Sequence, residues 1–150
     1  MTLIAIDGPA GAGKTTLAAK FERDLSLENS VSVIHMDDLY AGWENALGEQ
    51  LTQKLKEIVE AFTSQNTFTI SIFNWSSNSF DSFQTIEPTN ILIIEGVGAG
   101  QKVVRDRGAT VYWLDIEPSI GLERVLARDG IEIEFESDLT RNHADHIITS

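Results

Sequence analysis

The 150 residues, 42% hydrophobic and 23% charged, suit one globular domain with a sizeable core, and no apolar run approaches the roughly 18 residues that span a bilayer. Eleven basic against 23 acidic residues give a formal charge of −12, a surface that repels nucleic acid phosphates and anionic membranes, so neither is an expected partner. Zero cysteines exclude disulfides, thiolate catalysis and cysteine-ligated zinc, and an amino terminus that enters the first strand directly leaves no room for a signal or transit peptide, so a cytoplasmic protein is expected.

The chain begins with an apolar, partly β-branched run, Leu3 to Asp7, that reads as a buried strand. Gly8-Pro9-Ala10-Gly11-Ala12-Gly13-Lys14-Thr15 then completes the Walker A pattern G-x-x-x-x-G-K-[ST], and a helix is expected from Lys14 to about Leu25. A chance glycine-rich turn would need neither the strand before nor the helix after. Glycines let backbone N–H groups turn onto phosphate oxygens, and the helix N-terminus adds partial positive charge. Gly8, Ala10, Gly11, Ala12, Gly13, Lys14, Thr15 and Thr16 are therefore the candidate nucleotide-binding residues. Lys14 is expected to reach the β- and γ-phosphates of a nucleoside triphosphate, with the Thr15 hydroxyl on Mg²⁺. On so acidic a chain, binding ATP requires a local positive focus, for which Lys14, Arg124 and Arg128 are the candidates, with Mg²⁺ offsetting charge.

After a turn at Glu28-Asn29-Ser30, a second strand is expected over Val31 to Met36, ending in Asp37-Asp38-Leu39-Tyr40. A carboxylate there could take a proton from an attacking hydroxyl, or simply cap the strand exit. Leu47, Leu51, Leu55, Ile58, Val59 and Phe62 recur at helical spacing and predict a helix from Glu44 to Phe62. Thr67 to Phe73 alternates as a short strand or extended arm, and the Ser/Asn-rich stretch from Asn74 to Asn90 reads as a loop. Ile91 to Ile94 suits a strand buried on both faces, and Glu95 follows it as the acid of a Walker B strand would, placed to order Mg²⁺. Gly96, Gly98 and Gly100 make a turn.

A helical turn over Val103 to Arg107 and a fourth strand over Thr110 to Leu114 lead to a helix from Pro118 to Asp129. Arg124 and Arg128 lie one turn apart on it, able to clamp a triphosphate or to form a solvated face. His143-x-x-His146, without cysteines or an H-E-x-x-H pattern, does not read as a zinc site, and Trp43, Trp75 and Trp113 read as packing residues, the first two in loops beside the site. Asp145 to Thr149 reads as a last strand. Strands alternating with helices imply an α/β, three-layer P-loop NTPase fold, a parallel sheet flanked by helices with ligands at the carboxyl ends of the strands.

Together these segments resemble the uridine kinase-like branch of P-loop small-molecule kinases, over most of the chain. Ile4-Ala5-Ile6-Asp7-Gly8 with Gly13-Lys14-Thr15-Thr16 is similar to the start of that family. Asp37-Asp38-Leu39-Tyr40 resembles its D-x-[FL]-[YF] segment, which implies Asp37 as the general base; Glu95-Gly96, Val104-Arg105-Asp106 and the segment from Leu114-Asp115 to Arg128-Asp129 also align. There Arg124 and Arg128 fall on arginines of the family's lid helix. His35 to Trp43 and Glu95 to Gly100 are most similar to actinobacterial members labelled uridine kinase-like. The departures are Ile72-Phe73-Asn74-Trp75 in place of an Arg-Tyr-Asp-Trp type acceptor segment, Gly121 in place of a lid arginine, and an early Thr140-Arg141-Asn142-His143-Ala144-Asp145, which implies a lid shortened at about 130–138 within one domain spanning 1–150.

The resemblance implies an ATP-dependent phosphotransferase acting on a hydroxyl of a small molecule, such as a nucleoside like uridine. Lys14, Asp37, Glu95, Arg124 and Arg128 would be catalytic, Thr15 and Glu95 would hold Mg²⁺, and Asp37, Tyr40, Trp43, Asn74 and Trp75 would receive the acceptor. A short lid excludes water less well unless a partner subunit completes the site, so a homo-oligomer is one expectation. Two alternatives stay open: a nucleotide-binding module without transfer activity, and a simple NTP hydrolase.

Overall fold

A computed structural model of the chain describes residues 2–8, 13–39, 49–74, 76, 77, 79–115 and 144–149. The inner loop residues Ala10, Gly11 and Ala12, then Tyr40, Trp43, Trp75 and His143, and the expected helix and lid with Arg124 and Arg128, lie outside these residues.

In chain order the elements are β1 (Thr2–Asp7), α1 (Lys14–Leu25), β2 (Val31–His35), a 3-10 turn (Met36–Asp38), α2 (Glu49–Thr63), β3 (Phe68–Asn74), β4 (Ser79–Ile86), β5 (Ile91–Glu95), α3 (Lys102–Arg105), β6 (Thr110–Asp115) and β7 (His146–Thr149). Five strands form a parallel sheet in the order β2-β5-β1-β6-β7, the architecture expected from the alternation of strands and helices. β5 therefore lies between β1 and β2, although a helix and a hairpin separate it from β2 along the chain.

Alternation along each strand sorts its side chains between two apolar layers. Leu3 and Ala5 of β1, Ile34 of β2 and Leu92 and Ile94 of β5 pack on one face with Leu51, Leu55, Ile58, Val59 and Phe62 of α2. Ile4 and Ile6, Val31 and Val33, and Ile91 and Ile93 pack on the other face with Leu17, Ala18, Phe21 and Leu25 of α1. Every residue of β5 is buried, as its unbroken apolar run requires. Helix α2 buries the face that its periodicity marks, and it ends at Thr63, whose hydroxyl bonds back to the Val59 carbonyl. Among the described residues no helix is long and apolar enough to cross a membrane.

The stretch expected to be a loop from Asn74 to Asn90 instead contains β4, which pairs antiparallel with β3. Ser82, Phe83, Gln84 and Thr85 are all exposed, so the middle of β4 carries no buried alternating face to read; its order comes from backbone pairing with β3. The register shifts between Ile72 and Phe73, and beyond the shift Phe73 meets Phe80 edge-on with ring centroids 5.1 Å apart. Asn74 closes the hairpin, its side-chain oxygen accepting from the Ser76 and Ser77 N–H groups at 2.9 and 3.3 Å. The second strand stops at His35, one residue before the expected end, because Met36 opens the 3-10 turn.

That turn packs against the exit of β5. Gly96 has φ of +135°, and a Cβ there would lie 2.4 Å from Cβ of the fully buried Met36. Gly96→Ala should therefore lose about 2–4 kcal/mol of unfolding free energy from backbone strain and overpacking, read by chemical denaturation. An unchanged midpoint would show that the Met36 turn yields freely.

Candidate active site

The carboxyl ends of β1, β5 and β2 lie side by side. Ile6 is in register with Glu95, and His35 with Glu95 on its other side. Alternation then decides where each side chain points. Glu95 follows Ile91 and Ile93 onto the α1 face, where the first turn of α1 carries Thr15. The Thr15 hydroxyl donates to Glu95 Oε1 at 3.1 Å, so the Walker A threonine and the acid at the end of β5 are in contact. Glu95 is 4% exposed, and such a buried carboxylate needs partners. Its second partner is His35, whose Nδ1 lies 2.6 Å from the same oxygen and must carry the hydrogen to donate to it. His35 was not among the expected site residues. Its place one residue before the 3-10 turn carries no signal until the β2–β5 register is known.

Asp7 points the other way. It continues the Leu3 and Ala5 series onto the α2 face, and it is 1% exposed. Its Oδ1 accepts from the N–H groups of Gly8 at 2.7 Å and Gly98 at 3.0 Å, and its Oδ2 from Gly100 N–H at 2.9 Å. Burial pushes its carboxyl above the ordinary value of 3.8; the three N–H bonds and the Lys14 charge pull it back. The turn after β5 is thereby clasped to the first residue of the phosphate loop. Arg105 of α3 holds the same turn from the other side, donating to the Gly100 carbonyl at 2.6 Å. Asp7 was also missed as a functional residue, since an acid at a strand end reads equally as a turn former.

Gly8 itself has φ of +149°, and a Cβ there would sit 2.4 Å from the Leu114 carbonyl oxygen of β6. Only a residue without a side chain lets the loop leave β1 so close to its neighbour. At the loop's other end Gly13 caps α1, its carbonyl accepting from Leu17 N–H at 3.1 Å, and Lys14 begins the helix, buried to 7% exposure. Thr16 is exposed on the first turn.

Asp37 lies half-buried in the 3-10 turn, beyond the carboxyl end of β2 and on the same edge of the sheet as Thr15 and Glu95. Asn74 is at the far end of β3, with its side-chain oxygen engaged by the hairpin turn. Among the described residues no cluster of three or more His, Cys, Asp or Glu side chains could hold a metal ion alone. A hydroxyl and a carboxylate at a phosphate loop are hard oxygen donors, the set that Mg²⁺ takes when phosphates and waters complete its shell. Thr15 and Glu95 fit that requirement.

A parallel sheet with its glycine loop, buried lysine and threonine–acid contact at one edge defines a P-loop nucleotide-binding fold of the kinase type. The family model described as an AAA domain matches residues 4–148, and the chain belongs to that family. No curated protein is significantly similar in sequence. A Bacillus stearothermophilus protein described as a possible uridine kinase superposes with a TM-score of 0.72 at 20% identity, covering 98% of this chain and 88% of its own. A Silicibacter sp. TM1040 protein, provisionally described as a fructose transport system kinase, gives 0.67 at 18% identity over 96% of this chain and 80% of that one. Shikimate kinase from Bacteroides thetaiotaomicron gives 0.53 at 18% identity, covering 99% and 86%. These likenesses establish the fold shared with small-molecule kinases.

Proposed function

We propose that the protein is an ATP-dependent phosphotransferase that moves the γ-phosphate to a hydroxyl of a small molecule, as the uridine kinase-like resemblance implies. The observation that supports this most is the Thr15–Glu95 contact of 3.1 Å, with Asp37 on the same sheet edge. The loop amides and Lys14 bind the β- and γ-phosphates, and Thr15 and Glu95 hold Mg²⁺, which when bound neutralises phosphate charge. Asp37 accepts the proton of the acceptor hydroxyl as its oxygen bonds to the γ-phosphorus; the bond to the β-phosphate oxygen breaks and ADP leaves. Arg124 and Arg128 are assigned to neutralise the transferring group, and Tyr40, Trp43, Asn74 and Trp75 to the acceptor's surroundings. His35 and Asp7 are positioning residues for Glu95 and the phosphate loop.

Incubation with Mg-ATP and a panel of nucleosides and other alcohols, read by product mass, tests this. Asp37→Asn should slow transfer by about 10²–10⁴-fold and leave nucleotide affinity nearly unchanged. ATP consumption without a phosphorylated alcohol would indicate a hydrolase. Binding without turnover would indicate a nucleotide-binding module.

A further inference from the structure

A cavity of about 200 Å³ lies between Lys54, Glu57 and Ile58 of α2, residues 68–71 of β3, and Leu39. Leu39 closes the 3-10 turn that carries Asp37, its N–H bonding to the Met36 carbonyl at 2.9 Å, so the cavity reaches the end of the turn that holds the proposed base. Four consecutive β3 residues line it, although successive side chains on a strand alternate between faces; the strand therefore meets the cavity with its edge. Among the described residues β3 pairs only with β4, so its other edge offers main-chain N–H and C=O groups to a polar ligand.

The cation that the described residues bring to this cavity is Lys54. Its ammonium sits 3.8 Å from the centre of the Phe80 ring, and among the described residues it has no carboxylate within ion-pair distance. Burial lowers its pKa from the usual 10.5, so Lys54 is a partly desolvated cation with no counter-ion among the described residues. Glu57, one turn further on α2, also lines the cavity, but it makes no ion pair with Lys54; its carboxylate accepts a hydrogen bond from Gln53 at 3.3 Å. On a chain of net charge −12, a lysine at a cavity wall with no acid partner among the described residues is a feature that a bound anion would explain.

We propose that this cavity is the acceptor subsite and that Lys54 receives an anionic group there, which makes the acceptor a small alcohol bearing a carboxylate or phosphate. This rests on the kinase reading and adds the substrate class. Phe80 orients the ammonium, the β3 edge bonds the acceptor's polar atoms, and the hydroxyl to be phosphorylated lies towards Asp37. The volume is below the roughly 300 Å³ at which drug-sized pockets begin, which favours a compact molecule.

The test compares D-glycerate and pantothenate as carboxylates, glycerol 3-phosphate and ribose 5-phosphate as phosphates, and glycerol and uridine as neutral alcohols. Transfer is measured with Mg-ATP and equilibrium binding by calorimetry, in the full chain and in Lys54→Met and Lys54→Gln. Methionine keeps the length that packs on Phe80, and unchanged ATP affinity reports an intact fold. An anionic acceptor should show a KM raised about 10- to 100-fold by Lys54→Met, the loss expected for a charged hydrogen-bond partner, with little change in kcat. Which of the two anion series responds names the group. Transfer to neutral alcohols with no effect of Lys54 would overturn this inference and leave the kinase reading intact. Lys54-dependent binding of an anion without transfer to any alcohol would support the site and sink the kinase reading. Neither transfer nor Lys54-dependent binding would overturn the subsite.

Discussion

Replacing Asp7 by alanine should lower the unfolding free energy by about 3–5 kcal/mol, the range for breaking a buried, hydrogen-bonded charge. The carboxylate serves three backbone donors, Gly8, Gly98 and Gly100, all buried. Without it each N–H is left unsatisfied, at about 1–3 kcal/mol apiece, while relief of the desolvated charge offsets part of the loss. Against a typical domain stability of about 5–15 kcal/mol this is a large fraction. Asp7→Asn should fall between, because a single amide oxygen cannot face both groups of donors and its NH₂ must oppose at least one N–H. Nucleotide affinity should fall with stability, since Gly8 opens the phosphate loop. Denaturant melts and nucleotide titration on both variants provide the check. A variant as stable as the parent would show that the turn after β5 has other support.

Glu95→Gln should separate magnesium from nucleotide. The substitution keeps the side chain's size and an oxygen able to accept from Thr15, but removes the charge that His35 and a cation would meet. The apparent affinity for Mg²⁺ in the presence of ATP should drop about 10–100-fold, with transfer falling alongside, while binding of metal-free ATP changes little. Stability should hardly fall, because a buried charge is exchanged for a neutral hydrogen-bonding group. A magnesium titration that superposes on the parent's would assign Glu95 a purely structural contact with Thr15.

The parts of this molecule that were legible in its chain are those governed by neighbours in sequence. The β1–loop–α1 unit could be read because an apolar strand, Gly8 to Gly13, and Lys14-Thr15 are contiguous, and each step obeys local rules of backbone freedom and helix initiation. Helix α2 and strand β5 could be read because Leu51, Leu55, Ile58, Val59 and Phe62 recur at helical spacing and Ile91 to Ile94 form an unbroken apolar run. Strand β4 could not, because Ser82 to Thr85 gain their order from β3 rather than from a buried face of their own.

Only the tertiary structure decided which groups share the site. The order β2-β5-β1 places Glu95 between Ile6 and His35, and strand alternation sends Glu95 to Thr15 but Asp7 to the turn after β5. The sequence by itself determined a phosphate loop on a parallel α/β scaffold. The partners of Asp7, Glu95 and Lys54 come from strand order, register and the packing of the β3–β4 hairpin against α2, which depend on burying two faces of one sheet at once and leave no mark at any single position.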